Sequence, residues 1–225
     1  MVLRAPRAER VTLAGPAGGL ETLIETPAAP EGGEPAPVSA FAVICHPHPL
    51  HGGTLDNKVV HTLARAFNQL GAPTVRFNFR GVGTSAGTHD EGRGEIQDAL
   101  AVIAWGRKRW PGAALWLGGF SFGASVAVWA AGEAAPARLV AVAPGITKIA
   151  VTGAAPPACP WLIVQGDADE VVPPQAVLAW ARTLTPAPEV VVLPGAGHFF
   201  HGRINDLRET VLGFMERAAQ AHGAG

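Results

Sequence analysis

The sequence predicts an α/β fold, a mostly parallel sheet of eight strands with helices on both faces. Three observations point there. Short runs rich in Val, Ile and Leu alternate with helical stretches, a strand-helix-strand rhythm. The runs do not alternate apolar with polar residues, which is how strands buried on both faces read. Three polar residues, Ser121, Asp169 and His198, each stand just beyond such a run, and open α/β sheets bind ligands along that edge.

The elements follow in order. Residues 11–13 and 20–26 read as an antiparallel hairpin turning through Gly15-Pro16 and Gly18-Gly19. It would add two antiparallel strands at one edge of the sheet. Residues 27–37, rich in Pro, Gly and Glu, read as an exposed connection. The parallel strands are expected at 40–45, 74–79, 114–120, 139–143, 162–165 and 190–193. Helices are expected at 58–70, 95–109, 122–131, 174–184 and 205–221. Between Ala143 and Trp161 lies only a short connection holding Gly145, Gly153, Pro156 and Pro157. It has room for one helical turn near 147–151 and none for a cap domain, so the site should be open to solvent.

Composition bounds the rest. A chain of 225 residues that is 48% apolar, with mean hydropathy +0.22, suits a single domain over 1–225 with a substantial core. A net charge of -1 gives no reason to expect nucleic acid or a membrane surface as a partner. The start, Met1 to Arg7, has no apolar signal-like stretch, and no apolar run is long enough to span a bilayer. A cytoplasmic location is the expectation. Cys45 and Cys159 read as small buried thiols rather than a disulfide framework. Tyrosine is absent, so none can serve as an acid or an oxyanion donor.

The chemistry starts at Gly119-Phe120-Ser121-Phe122-Gly123. In a chain with 28 glycines the string alone would pass for a turn. Its placement between an apolar strand and a helical run makes it informative. A serine at such a junction sits on a sharp turn with its hydroxyl raised toward substrate, and flanking glycines avoid collisions as the two backbones close. Two more stretches complete the pattern. Gln165-Gly166-Asp167-Ala168-Asp169-Glu170-Val171-Val172-Pro173 follows one apolar run, and Gly195-Ala196-Gly197-His198 follows another. The chain order is Ser, Asp, His.

On these stretches, together with His46 to Gly53 and Arg76 to Gly83, the chain resembles the small lidless bacterial α/β-hydrolase-fold serine hydrolases, a group close to dienelactone hydrolases and carboxylesterases. The resemblance runs from residue 40 to about 205. It implies the α/β-hydrolase fold and a reaction class: cleavage of small to medium acyl esters or thioesters through an acyl-enzyme. The same constellation could serve a peptidase or amidase, and a catalytically silent binding or scaffold protein on this fold is the alternative of another class.

Each residue then has an expected role. Ser121 would be the nucleophile, which needs an adjacent base because a free hydroxyl is too weak. His198 would be that base, then the acid, brought over Ser121 by a mobile loop through Gly195 and Gly197. Asp169 would orient His198, since Gly166, Asp169, Val171 and Pro173 fit the group's pattern G-x-x-D-x-V-x-P. Asp167 would brace the turn and Glu170 would be solvated. One oxyanion donor would be the backbone N–H of Phe122. Relatives carry His-Gly-x after the first buried strand, where this chain has His46-Pro47-His48. Because Pro47 and Pro49 have no N–H, His48 would be the second donor.

Other features of the sequence have plainer readings. His46, His48 and His51 could suggest zinc, but no acidic or cysteine partner with matching spacing accompanies them. They are expected to shape the loop, and neither a metal nor a cofactor is expected. The stretch Arg80 to Gly87 lacks the Walker lysine and Rossmann spacing. It resembles a glycine turn of the hydrolases and is expected to pack beneath the serine turn. Leu50, Phe120, Phe122, Phe199 and Phe200 would line an apolar acyl site or belong to the core. The expected partner is a small acyl substrate.

Overall fold

The computed structural model describes residues 7–27, 37–146 and 157–223. Eight strands form one sheet: β1 (Arg7–Gly15), β2 (Gly18–Thr26), β3 (Ala40–Cys45), β4 (Thr74–Phe77), β5 (Ala114–Phe120), β6 (Arg138–Val142), β7 (Trp161–Gly166) and β8 (Glu189–Leu193). Their order is β1-β2-β4-β3-β5-β6-β7-β8. The hairpin β1–β2 is antiparallel and β2 joins β4 antiparallel, while every pair from β4 to β8 is parallel. The helices are α1 (Lys58–Gln69), α2 (Arg93–Arg109), α3 (Phe122–Ala134), α4 (Pro174–Ala181) and α5 (Ile204–Gly223).

Strand alternation divides the core in two. Phe41, Val43 and Cys45 of β3 pack with residues of α2, α3 and α4, while Ala42 and Ile44 pack with residues of α1 and α5. In β7, Trp161 and Ile163 take the first face, Leu162 and Val164 the second. Both faces are covered, which is why these strands read as continuous apolar runs.

The edge hairpin is longer than its apolar residues suggest. Its ladder runs from Arg7↔Thr26 to Gly15↔Gly18, although most β1 side chains are exposed. Backbone pairing extends a strand through polar residues once its partner is fixed.

The stretch from Arg80 to Gly87 does not pack beneath the serine turn as expected. It clamps the hairpin and α2. The Arg80 guanidinium forms a bidentate pair with buried Asp98 of α2, at 3.0 and 2.8 Å. Ser85 Oγ accepts from the Glu21 N–H, the Thr84 N–H donates to Glu21 Oε2, and the Ala86 N–H donates to Gly19 O. The neighbouring strand end does reach the serine turn, where Phe79 lies edge-on to Phe122.

The connection from β6 to β7 is too short for a cap domain. The helical turn expected near 147–151 falls outside the described residues. Among the described residues, no helix is long and apolar enough to cross a membrane.

Candidate active site

Ser121 sits between the last residue of β5 and the first of α3, with φ 54° and ψ -119°. Such a backbone costs a non-glycine residue about 1–3 kcal/mol and persists only where its surroundings fix it. Here they do. The Ser121 N–H donates to Val142 O at the end of β6, and Ser121 O accepts from Ala124, Ser125 and Gly145. A Cβ on Gly119 would fall onto the Gly123 backbone, and one on Gly123 onto the carbonyls of His46 and Cys45. The second glycine thus serves close approach to β3 as well as the turn.

The Ser121 hydroxyl lies 3.0 Å from His198 Nε2, and His198 Nδ1 lies 2.8 Å from Asp169 Oδ2. The Asp169 carboxylate is almost fully hydrogen-bonded. Oδ1 accepts from the Val171 N–H at 2.9 Å and the Val172 N–H at 2.7 Å. Oδ2 also accepts from Gln165 Nε2 at 2.9 Å. Burial works to raise this carboxyl, but the hydrogen bonds from His198 and Val172, the nearby imidazole charge and the Val171 N–H outweigh it. The net result lies below the ordinary aspartate value. An ionised Asp169 favours the tautomer in which Nδ1 carries hydrogen and Nε2 accepts from a serine hydroxyl.

The loop carrying His198 is tied to the β7–α4 loop by several hydrogen bonds. The Gly195 N–H donates to Asp167 Oδ1 at 2.6 Å, and the Ala168 N–H donates to Ala196 O. The His198 N–H donates to Glu170 Oε2 at 3.2 Å. Glu170 is exposed, yet it is not simply solvated, because it secures the backbone of His198. Asp167 braces the turn as expected. The whole β7–α4 loop therefore grips the loop after β8.

Residues 48–159 match the family model described as "Serine aminopeptidase, S33". An α/β serine hydrolase without a lid from Xanthomonas campestris is 43% identical, with 96% of this chain and 97% of that chain covered and a TM-score of 0.87. An α/β serine hydrolase homologue from Coxiella burnetii is 47% identical, with 91% and 95% covered and a TM-score of 0.83. A Rickettsia prowazekii protein is 31% identical over 194 residues, 80% of each chain. The chain belongs to the lidless α/β-fold serine hydrolases.

In this hydrolase the residues expected to hold an oxyanion lie side by side. Phe122 opens α3, where the first helical N–H groups have no partner within the helix. The His48 ring rests against the Phe122 ring at 5.0 Å. His48 precedes a short 3₁₀ turn, Pro49–His51. Its Nδ1 accepts from the Leu50 N–H, and its carbonyl accepts from His51 and Gly53.

The three loop histidines have distinct positions. His46 is fully buried, its Nδ1 lies 2.6 Å from Pro47 O, and its Nε2 accepts from the Phe79 N–H at 3.0 Å. Burial pushes its pKa down to about 4, against a smaller opposing effect of the Pro47 carbonyl. His46 is a neutral clasp between the ends of β3 and β4, with both ring nitrogens engaged. His51 stacks on His48 at 4.4 Å. His89, absent from the sequence reading, also leans on His48, and its Nδ1 lies 2.8 Å from buried Glu95. Its signal was weak, being one histidine in a loop with no motif.

The apolar candidates separate. Phe120 does not line the site surface: it is fully buried among residues of α1 and α5, and its ring lies beneath His198 at 4.9 Å. Phe122 and Phe200 are buried as well, whereas Leu50 and Phe199 are exposed, 69% and 42%. Cys45 is buried and Cys159 half-buried, both with free thiols. Burial raises both, Cys159 to about 11, so neither is a ready nucleophile.

Proposed function

We propose that this hydrolase cleaves small to medium acyl esters or thioesters through an acyl-enzyme on Ser121. The observation that carries the reading is the chain Asp169–His198–Ser121, with contacts of 2.8 and 3.0 Å, ending on a serine with positive φ. The Ser121 Oγ attacks the substrate carbonyl carbon while His198 Nε2 takes its proton. The new oxyanion is held by the N–H groups of Phe122 and His48. The tetrahedral adduct collapses, and His198 gives its proton to the departing alcohol or thiol. A water then attacks the acyl-enzyme by the same route in reverse, releasing the acid and freeing Ser121.

Asp169 stays ionised throughout, held by its backbone donors, and stabilises the imidazolium that forms when His198 is protonated. Exposed Leu50 and Phe199 are the apolar side chains proposed to meet the acyl group. A second reading, cleavage of aminoacyl amides, is favoured by the description of the matching family model. The same residues would carry it, and the leaving group alone differs.

Labelling with a fluorophosphonate probe, followed by assay on p-nitrophenyl esters, acyl thioesters and aminoacyl amides, tests both. The expectation is labelling of the wild type, none of Ser121→Ala, and highest kcat/KM on an ester or thioester. Turnover confined to aminoacyl amides would replace the first reading with the second. Unlabelled wild-type protein with no turnover on any of the three would sink both.

A further inference from the structure

We propose that Gln165 is a positioning residue for hydrolysis, holding Asp169 Oδ2 toward His198 and moderating the basicity of that oxygen. The proposal rests on the reading of Ser121, His198 and Asp169 given above. Gln165 is the penultimate residue of β7, a strand buried along its whole length. The other side chains of the strand, Trp161, Leu162, Ile163 and Val164, are apolar. Gln165 is fully buried and pairs in register with Val192 of β8. It thus lies between the two loops that supply Asp169 and His198.

Its amide is spent unevenly. Nε2 donates to Asp169 Oδ2 at 2.9 Å, with longer reaches to Gly166 O at 3.3 Å and Val172 O at 3.5 Å. Among the described residues, Oε1 has no hydrogen-bond partner. A buried carbonyl without a partner costs stability, and an apolar side chain at this position would avoid that cost. What Gln165 supplies that Leu would not is the donor on Oδ2. Local rules broken at a cost mark functional positions.

The chemistry follows from sharing one oxygen. Val171 and Val172 fix Oδ1, and Gln165 fixes Oδ2, so the carboxylate cannot pivot away from His198. A second donor on Oδ2 also draws off part of its negative charge. Without it Asp169 would favour the imidazolium more strongly, and His198 would keep its proton to higher pH. Among the described residues, titratable groups on these two loops are His198, from the loop after β8, Glu170, which takes the His198 backbone N–H, and Asp167, which takes the Gly195 N–H.

The test compares wild type, Gln165→Leu, Gln165→Glu and Asp169→Asn on p-nitrophenyl butyrate across pH, with circular dichroism confirming the fold. Gln165→Leu should lower kcat about tenfold, the scale of losing one hydrogen bond to a charged group. KM should stay within about twofold, because the donor acts on the transition state rather than on substrate binding. The acidic limb of kcat/KM should move to higher pH. Gln165→Glu keeps the shape but donates only while protonated, so its kcat relative to wild type should fall as pH rises. A folded Gln165→Leu with wild-type kcat and an unmoved acidic limb overturns the proposal. If that variant does not fold, a Gln165→Glu ratio that is flat with pH overturns it. Loss of activity in Asp169→Asn beside an unaffected Gln165→Leu removes only the role of Gln165, whereas a fully active Asp169→Asn removes the underlying triad.

Discussion

Asp167 and Asp169 stand two positions apart after the same strand, and their surroundings give them different work. Asp169 is buried, with two backbone N–H groups, Gln165 and His198 around it. Asp167 is exposed and holds the Gly195 N–H. Asp169→Asn should therefore lower kcat by about 10⁴-fold, the scale seen when the orienting carboxylate of such a triad is neutralised. Asp167→Asn should lose less than tenfold by the same measure, since the turn keeps its other bonds. Steady-state kinetics on one ester decides it, and the reverse ranking would transfer the orienting role to Asp167. Ser121→Ala should remove turnover while leaving the thermal midpoint within a few degrees, because the side chain contributes little packing. These three residues were legible because each follows a strand and the spacing around Asp169 is distinctive. Glu170 and Gln165 were not. Their partners lie on a loop reached only after α4 and β8, and no local spacing encodes that meeting. Phe120 was ambiguous for a related reason: an apolar run does not say which face of the sheet each residue takes.

At the scale of elements, the loop after β3 is tied down by a neutral histidine. The His46 ring joins the end of β3 to the Phe79 backbone just past β4, so the loop that carries His48 starts from a fixed point. Its pKa in the folded chain is about 4 against an ordinary 6.5, so the folded state binds fewer protons than the unfolded one between those values. Stability is thus fully present above about pH 6.5 and is lost as pH falls toward about 4. The total loss is about 3 kcal/mol from this one group. Asp169, also held below its ordinary value, adds loss of the same sign at more acidic pH. Urea unfolding measured from pH 4 to 8 should show the decline, and His46→Gln should flatten it in the upper part of that window. An equally steep decline in His46→Gln would assign the effect to other groups. The element boundaries were legible where strands are buried on both sides, as in β3 and β7. They were less so at the edge, where β1 extends through exposed Arg7 to Arg10. The placement of Arg80 to Gly87 was missed because its partners, Asp98 and Glu21, are set by tertiary packing and not by the glycine spacing that drew attention to it.

For the molecule as a whole, the decisive feature is what the chain places above the carboxyl ends of its strands. Helices α1 and α5 cover one face and α2, α3 and α4 the other, so the sheet is closed on its sides and the site lies along its edge. The β6–β7 connection is too short for a cap domain. An enzyme with a cap must open it before substrate reaches the serine, and its rate jumps when an apolar surface favours the open form. Without one, soluble short-chain esters should be hydrolysed with no activation at a lipid interface. The apolar side chains proposed to meet the acyl group, Leu50 and Phe199, are themselves exposed. They can cover part of an acyl chain but cannot enclose it. Affinity should therefore not keep rising by the ~0.8 kcal/mol per methylene of a closed apolar tunnel. The check is a series of p-nitrophenyl acetate, butyrate, octanoate and palmitate, each assayed below and above its solubility limit. Smooth saturation, with the best kcat/KM at acetate or butyrate, is the expected result. A sharp rise at the solubility limit, or a clear preference for palmitate, would mean that a segment other than the β6–β7 connection closes over Ser121.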